Sequence, residues 1–392
     1  MATADQWLLP DGIEELYPEQ AAAIEALQRR LLDLYQSWGY ELVQPPLLEY
    51  LESLNTGMGN DFKLQTLKVT DQLSGRQMGL RADITPQVAR IDAHGLKRKG
   101  PTRLCYAGPV LHAKPNLSGS RALIQVGVEL FGHANADSDA EVIELMLHTL
   151  QAAGCASITL DLGHVGICQS LLENSDLPEE QVSDLFDIYQ RKAAVELGTF
   201  LESHIHDQEL NTILRSLPKL AGDSSCLSEA RKLLKAYPNA IKAVNALEEI
   251  AQQTKAAFPG INIYYDLSEL RGYRYHTGVV FAAYIPSHGQ AIAKGGRYDD
   301  VGEKFGRARP ATGFSTDIKT LVNLTQYQAT PLNKIFAPSN TDPLLRDTIN
   351  SLRNNGEVVI KSLQGQKEGA KECGCSSQLI NRNGQWVQED LE

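Results

Sequence analysis

No stretch of this sequence approaches the roughly 20 consecutive apolar residues that a membrane-spanning helix needs, so no span is expected. The N-terminal MATADQWLLPDG has neither a basic region nor an apolar signal core, which predicts no export and a cytoplasmic location. Cysteine is sparse. The six residues at 105, 155, 168, 226, 373 and 375 are dispersed, which argues against a disulfide-stapled scaffold and for reduced thiols. Only Cys373-Gly-Cys375 is a close pair, and it lacks the second pair or histidine cluster of a metal site; no metal and no cofactor are expected. Positive charge is in deficit, with 37 Lys and Arg against 48 Asp and Glu, net −11. A polyanion partner would normally ask for a basic face, but a local patch would suffice, so the charge argues only weakly against one.

What is present is ordinary globular sequence, long enough at 392 residues for two or three domains. Residues 18–38 carry Ile24, Leu27, Leu31, Leu34, Tyr35 and Trp38 at helical spacing, and Gly39 can end that helix. Tyr40-Glu-Leu-Val-Gln predicts a strand stopped by Pro45-Pro46. Further strands are expected at Leu67–Val69, Met78–Leu80, Arg103–Gly108, Leu123–Phe131 and Ser157–Leu162. A helix over 137–153 has Asp137 or Asp139 as its expected N-cap and closes near Gly154. From about 166 to 258 the composition turns to Leu, Ala, Glu, Lys and Gln, which predicts an all-helical insertion. Strands return at Ile261–Asp266, Gly278–Ile285 and Ala291–Ala293, then a turn at Gly295-Gly296 and a strand-to-helix passage from Ala311 to Asn323. A polar stretch, Thr325–Leu332, predicts a linker. Beyond it Lys334–Ala337, Pro343–Asn354 and Glu357–Ile360 alternate as strand, helix and strand. The fold class is therefore α+β: a domain over 1–328 with a helical insertion, and a small α/β domain over 333–392.

Three separated stretches place charge on strand-like pattern, which is costly unless the charges line a pocket or pair. They are Leu80-Arg-Ala-Asp-Ile-Thr-Pro-Gln, Ile124-Gln-Val-Gly-Val-Glu-Leu-Phe-Gly, and Leu270-Arg-Gly-Tyr-Arg-Tyr-His-Thr-Gly followed by Lys294-Gly-Gly-Arg-Tyr-Asp-Asp. On a strand Gln125, Gly127 and Glu129 share a face, with Gly127 leaving room for a ligand. A polar solvent face is the plainer alternative, and pattern alone does not separate the two. Arg271 suits either a bidentate carboxylate grip or an exposed turn. Gly295-Gly296 suits either a hairpin or close approach of backbone to a ligand.

Together these stretches resemble the histidyl-tRNA synthetase family. Leu270-Arg-Gly-Tyr-Arg-Tyr-His-Thr-Gly is similar to its first histidine-specific motif, Leu-Val-Arg-Gly-Leu-Asp-Tyr-Tyr, and Gly295-Gly-Arg-Tyr-Asp299 to its second. Gly39-Tyr40 with Pro46 resembles class II motif 1, the dimer-forming element. Leu104-Cys-Tyr-Ala-Gly-Pro through Gln125-Val-Gly-Val-Glu resembles motif 2, and Gly313-Phe314 the start of motif 3. The likeness spans about residues 5–325 in order. It implies a class II aminoacyl-tRNA synthetase-like antiparallel sheet flanked by helices. It also implies a histidine pocket, with Asp83 and Thr85 on the α-amino group, Gln125 and Glu129 contacting histidine, Arg271 near the carboxylate, and Tyr298 from the second motif. Tyr275-His276 stands where the family has Tyr-Tyr, and Arg274 where it has Asp.

The departures point away from catalysis. Motif 2 of the family reads Phe-Arg-x-Glu after Gly-Pro, where Val110-Leu111-His112-Ala113 stands here, so the resemblance puts Leu111 and Ala113 in the ATP-binding positions. The arginine ending motif 3 corresponds to Thr320. Loss of one preorganised donor typically costs about 10²–10³ in rate, so no catalytic residue is expected. Residues 333–392, with seven Lys or Arg against eight Asp or Glu, are short for an anticodon-binding domain and a poor grip on tRNA. A synthetase body that binds histidine without activating it resembles one paralogue group, the regulatory subunits of ATP phosphoribosyltransferase. That implies a short-form catalytic partner subunit, L-histidine as allosteric ligand, a homodimer within a hetero-octamer, and no productive tRNA or membrane binding. Two other readings stay open at this level: a divergent histidyl-tRNA synthetase, and a histidine- or tRNA-sensing binding module.

Overall fold

In the computed structural model the described residues are 7–56, 60–115, 119–173 and 175–391, with side chains of 60–62 outside the description. The first half of the N-terminal stretch expected to lack an export signal therefore falls outside it. The chain divides into two compact units, up to Gln328 and from Ala329 onward. No described helix is long and apolar enough to cross a membrane.

The larger unit is built on a nine-stranded sheet. Its strands, numbered in chain order along the whole protein, are β1 (Glu41–Leu42), β5 (Thr102–Leu111), β6 (Ala122–Phe131), β7 (Thr159–His164), β8 (Ala221–Gly222), β9 (Asn262–Asp266), β10 (Val279–Ile285), β11 (His288–Arg297) and β12 (Ala311–Asp317). They lie in the order β1-β5-β6-β12-β11-β10-β7-β9-β8. The central pairings are all antiparallel, while β1 joins β5 and β9 joins β7 in parallel. A three-stranded antiparallel sheet of β2 (Leu48–Tyr50), β3 (Leu67–Thr70) and β4 (Gln77–Leu80) accompanies it.

The pleat gives the large sheet two unlike faces. Val126, Val128, Phe314, Phe281, Ala283 and Leu162 belong to one buried core cluster, together with Leu27 and Leu31 of helix Pro18–Ser37 and Leu145 and Met146 of helix Ala136–Ala152. The alternate residues face the other side and form the floor described below. Helix Pro18–Ser37 presents Ile24, Leu27, Leu31 and Tyr35 to the core because they recur at three and four residues. Helix Ala136–Ala152 has Asn135 at its N-cap position, without a side-chain capping bond, and not Asp137 or Asp139, both of which lie inside its first turn. There their charge meets the positive end of the helix dipole, which explains why an acidic pair looked like a cap. The region 166–258 is helical from Val165 to Ala257, but it also contributes β8, which pairs with β9 and extends the sheet.

Gly295 and Gly296 are not a turn. They sit inside the uninterrupted strand β11, and each serves one face. A Cβ on Gly295 would lie 2.7 Å from the Phe281 ring, and one on Gly296 2.6 Å from the His276 ring.

The smaller unit has β13 (Lys334–Ala337), β14 (Val358–Lys361), β15 (Ser377–Arg382) and β16 (Gln385–Asp390) in the order β14-β13-β15-β16. Helix Pro343–Asn354 lays Leu345 and Ile349 on Ile335, Ala337, Val359 and Leu379. Asp342 caps that helix through the Leu344 N–H and also accepts 2.7 Å from the Trp386 indole. Cys373 and Cys375 lie here as free thiols, and no metal-binding cluster occurs among the described residues.

Two buried ion pairs tie distant segments of the larger unit. Arg297 reaches Asp139 at 2.9 Å and the backbone oxygen of His133. Arg309 reaches Asp92 at 2.7 Å, with side-chain exposures of 7% and 2%. Removing one member of such a pair strands the other charge. We expect Arg309→Met to lower stability by about 3–5 kcal/mol, read as a fall in the thermal midpoint. An unchanged midpoint would mean that Asp92 finds another donor.

Candidate functional site

The free face of the sheet is a pocket floor whose rows follow from strand register. One row runs Leu104, Glu129, Gly313, Gly296, Val280 and Gly163 across β5, β6, β12, β11, β10 and β7. The next runs Tyr106, Gly127, Ser315, Lys294, Ala282 and Asp161. Small residues dominate the middle of both rows, Lys294 excepted, which leaves space above the floor. The resulting cavity measures about 390 Å³, within the range of small-molecule sites. Its walls come from the Asp83–Thr85 segment, the 269–276 turn, and Asp187 and Gln190 on helix Glu179–Gln190 of the insertion.

Glu129 is the deepest charge, 1% exposed. The Tyr106 hydroxyl donates to Oε1 at 3.1 Å, and the Tyr298 hydroxyl donates to Oε2. Burial is the largest influence on this carboxyl and pushes its pKa up to about 8, against the lowering effect of the tyrosine and Thr85 hydroxyls. Gly313 is obligatory beside it, since a Cβ there would fall 1.7 Å from Glu129 Oε2. Gly127 leaves no room for a ligand: a Cβ there would meet the Tyr106 hydroxyl at 2.7 Å, so the space belongs to that ring.

At one end of the cavity Asp83 accepts from Gln125 Nε2 at 2.7 Å and from the Thr85 N–H at 3.2 Å. Gln125 also accepts from the Ile84 N–H at 2.9 Å. Gln125 thus braces Asp83 and is not itself a wall residue, whereas Asp83, Thr85, Glu129, Arg271, Tyr275, His276 and Tyr298 all line the cavity. The Tyr275 and Tyr298 rings pack at a tilt of 30° with centroids 5.0 Å apart. The Tyr275 hydroxyl is buried and has no hydrogen-bond partner among the described residues, a costly condition unless a ligand or water supplies one. His276 Nδ1 meets the Arg271 carbonyl at 3.2 Å and holds the 271–276 turn.

At the other end Arg271 donates to Glu269 at 2.8 Å and to the Tyr284 hydroxyl at 3.2 Å. Asp161 lies in the same region with a buried Oδ1 that has no hydrogen-bond partner among the described residues. Burial, then the charges of Glu269 and Asp266, raise its pKa to about 7. Asp161, Glu269 and Gln190 were missed by sequence reasoning, and Lys294 was named there only as the start of a charged stretch. Asp161 and Lys294 left a signal, a lone charge inside an apolar strand; Gln190 left none, because only the fold brings the insertion to the site.

Leu111, Ala113 and Thr320 stand outside the cavity lining. Leu111 ends β5 with its N–H on the Arg81 carbonyl at 3.1 Å, and the Ala113 N–H meets the Gln65 carbonyl at 2.7 Å. Thr320 is absorbed into a helix cap, its N–H and hydroxyl both on Asp317.

The fold built on this sheet has counterparts among known proteins. Residues 12–321 match the histidyl-tRNA synthetase family model. A solved histidyl-tRNA synthetase from Nostoc sp. PCC 7120 is similar in fold, with TM-score 0.77 and 19% identity over 98% of this chain and 97% of that one. The architecture is thus that of a class II histidyl-tRNA synthetase-like protein. Residues 332–389 match the model for the ATP phosphoribosyltransferase subunit HisZ C-terminal domain. An ATP phosphoribosyltransferase regulatory subunit/histidyl-tRNA synthetase from Bacillus halodurans superposes with TM-score 0.82 at 27% identity, covering 94% of this chain and 96% of that one. The ATP phosphoribosyltransferase regulatory subunit of Thioalkalivibrio sulfidiphilus is 52% identical over the whole of both chains, and that of Pseudomonas fluorescens Pf-5 is 54% identical over 98% of each. The chain belongs to the family of ATP phosphoribosyltransferase regulatory subunits.

The buried Glu129 carboxyl gives the site a pH signature. With its folded pKa raised from 4.5 to about 8, the native state holds more protons than the unfolded one between these values, so stability falls as pH rises through that window. We expect the stability of the wild type relative to Glu129→Gln to decline from pH 5 to about 8 and level off above. Thermal midpoints of both proteins across that range test it, and a constant difference would refute the raised pKa.

Proposed function

We propose that this chain is the histidine-responsive, non-catalytic partner of a short-form ATP phosphoribosyltransferase catalytic subunit in histidine biosynthesis. It activates that subunit and transmits feedback inhibition when L-histidine occupies the pocket. The observation that carries the reading is the buried yet ionisable Glu129, bonded by Tyr298, with Tyr275 packed on the Tyr298 ring and its own buried hydroxyl without a partner among the described residues. An imidazole ring offers one donor and one acceptor nitrogen, which suits a carboxyl and a phenol at the bottom of an aromatic slot. Asp83 and Thr85 are the expected partners of the α-amino group, and Gln125 keeps Asp83 in place. Arg271, His276 and Tyr298 complete the enclosure.

The non-catalytic part rests on what ATP would need. Residues 109–120 contain neither arginine nor glutamate, where the related synthetases carry a phosphate-binding arginine and an adenine-binding glutamate. Phosphoryl chemistry of this kind depends on preorganised positive charge. The acidic balance of residues 333–392 likewise argues against a productive tRNA complex. The synthetase-type homodimer is the expected building block, and closed symmetry then favours even-numbered assemblies such as a hetero-octamer.

Regulation requires that histidine bind two states of the complex unequally. A coupling of about 1–3 kcal/mol is enough, and the 269–276 turn is the natural element to differ, because it is a wall of the cavity. Mixing the chain with its short catalytic partner and following phosphoribosyl transfer with and without histidine tests the proposal. Glu129→Ala is expected to abolish inhibition while preserving activation; inhibition of unchanged potency would rule out this pocket. Histidine-dependent ATP–pyrophosphate exchange above background would restore the synthetase reading instead.

A further inference from the structure

The chain is acidic, with 48 Asp and Glu against 37 Lys and Arg, yet two short segments of the larger unit reverse that balance. Residues 97–100 and 303–307 together hold five Lys or Arg and one Glu. Arg98 and Arg307 are 209 positions apart in sequence, and the fold joins their segments. The Arg307 guanidinium donates to the Arg98 carbonyl at 2.6 Å. Arg309 donates to the Gly100 carbonyl at 2.5 Å, while its buried pair with Asp92 anchors the same two stretches. Both segments are tightly turned. Lys97 takes a left-handed backbone, φ 52°, at the end of helix Ile91–Leu96. The Arg307 N–H closes onto the Gly302 carbonyl at 3.0 Å, past Gly306 at φ 89°. The cations therefore stand on ordered backbone, and a partner meeting them would not have to order these loops.

Lys97, Arg98, Lys99 and Lys304 are exposed. Arg98 is paired with Glu41. The ammonium groups of Lys97, Lys99 and Lys304 have no hydrogen-bond or ion-pair partner among the described residues. Leu96, next to Lys97, is 37% exposed, and Glu303 adjoins Lys304. Three free ammonium groups fall short of the roughly six to ten phosphate contacts that give nucleic-acid binding its strength. An apolar side chain and a carboxylate among the cations suit the rim of a protein interface instead, where charge acts mostly on the rate of encounter. On a chain of net −11, one local basic surface offers an acidic face a single favourable direction of approach. Resting on the pairing with a short-form catalytic subunit proposed above, we propose that the 97–100 and 303–307 patch is the surface that guides an acidic face of that subunit onto this chain.

Association rates of the full chain with the full catalytic subunit, measured by stopped flow at low and high salt, test the assignment. Lys99→Glu combined with Lys304→Glu is expected to slow association about 10-fold at low ionic strength. The difference should vanish near about 1 M salt, where the screening length falls to about 3 Å. Glu303→Lys is expected to speed association at low salt, a gain that misfolding cannot produce. An unchanged rate in either variant overturns the assignment, and loss of duplex-RNA retention alongside it would move the patch to nucleic acid. A slowing that persists undiminished at high salt overturns it too, because the effect would not be one of charge. So does a changed oligomeric mass of the double variant by light scattering, since the patch would then join copies of this chain. If the thermal midpoint shows that the double variant does not fold, E303K alone decides: acceleration supports the patch, and its absence overturns it. A wild type that does not associate with the catalytic subunit at all overturns the pairing itself, a result distinct from any of these.

Discussion

Glu129 carries a carboxylate into the floor of a β-sheet, and an isolated charge in such a place would cost several kcal/mol. The surrounding structure is arranged around reducing that cost. Tyr106 comes from the neighbouring strand and Tyr298 from just beyond β11, each with a hydroxyl aimed at one carboxylate oxygen. Gly313 is needed because the carboxylate lies against its Cα, and Gly127 because Tyr106 passes over it. Burial still dominates, so the group holds its proton to unusually high pH. A sheet with larger residues at those two glycine positions would have neither the carboxylate nor the cavity.

The same sheet separates stability from recognition. Its helix-facing rows are Val, Leu and Phe, packed into the main core with the Pro18–Ser37 and Ala136–Ala152 helices. Its open rows are glycine, serine, alanine and a few charges. Two buried ion pairs, Arg297–Asp139 and Arg309–Asp92, fasten the segments that frame the open side. Asp161 keeps a buried Oδ1 without a hydrogen-bond partner among the described residues, and Lys294 lines the same cavity.

Much of this was legible in the residues. Periodicity located the Pro18–Ser37 helix, the long strands of motif 2 and the strand–helix–strand run of the smaller unit, because each pattern has a single period over many residues. Asp83, Thr85, Glu129 and Tyr298 stood out as polar groups on strand-like or turn sequence, and the resemblance to synthetases joined them. Three features could not be read. The Asn135 cap was hidden by the acidic pair after it, which satisfies the same helix dipole. Gly295-Gly296 resembled a turn, because nothing local reveals that Phe281 and His276 press on opposite faces of a strand. The partnering of Arg271 by Glu269 depends on the local turn conformation, which residue pattern does not show.

The glycine rows bear on how such a protein can change over generations. Gly313 and Gly296 are fixed by contacts with the protein's own atoms, Glu129 and His276, not by any ligand. A descendant with a different ligand, or none, would be held to those glycines by folding alone, while the Tyr275 hydroxyl, which has no hydrogen-bond partner among the described residues, would be free to drift. Intact glycine motifs in a relative therefore attest a preserved architecture. Whether a relative still senses anything is written in its unpartnered groups.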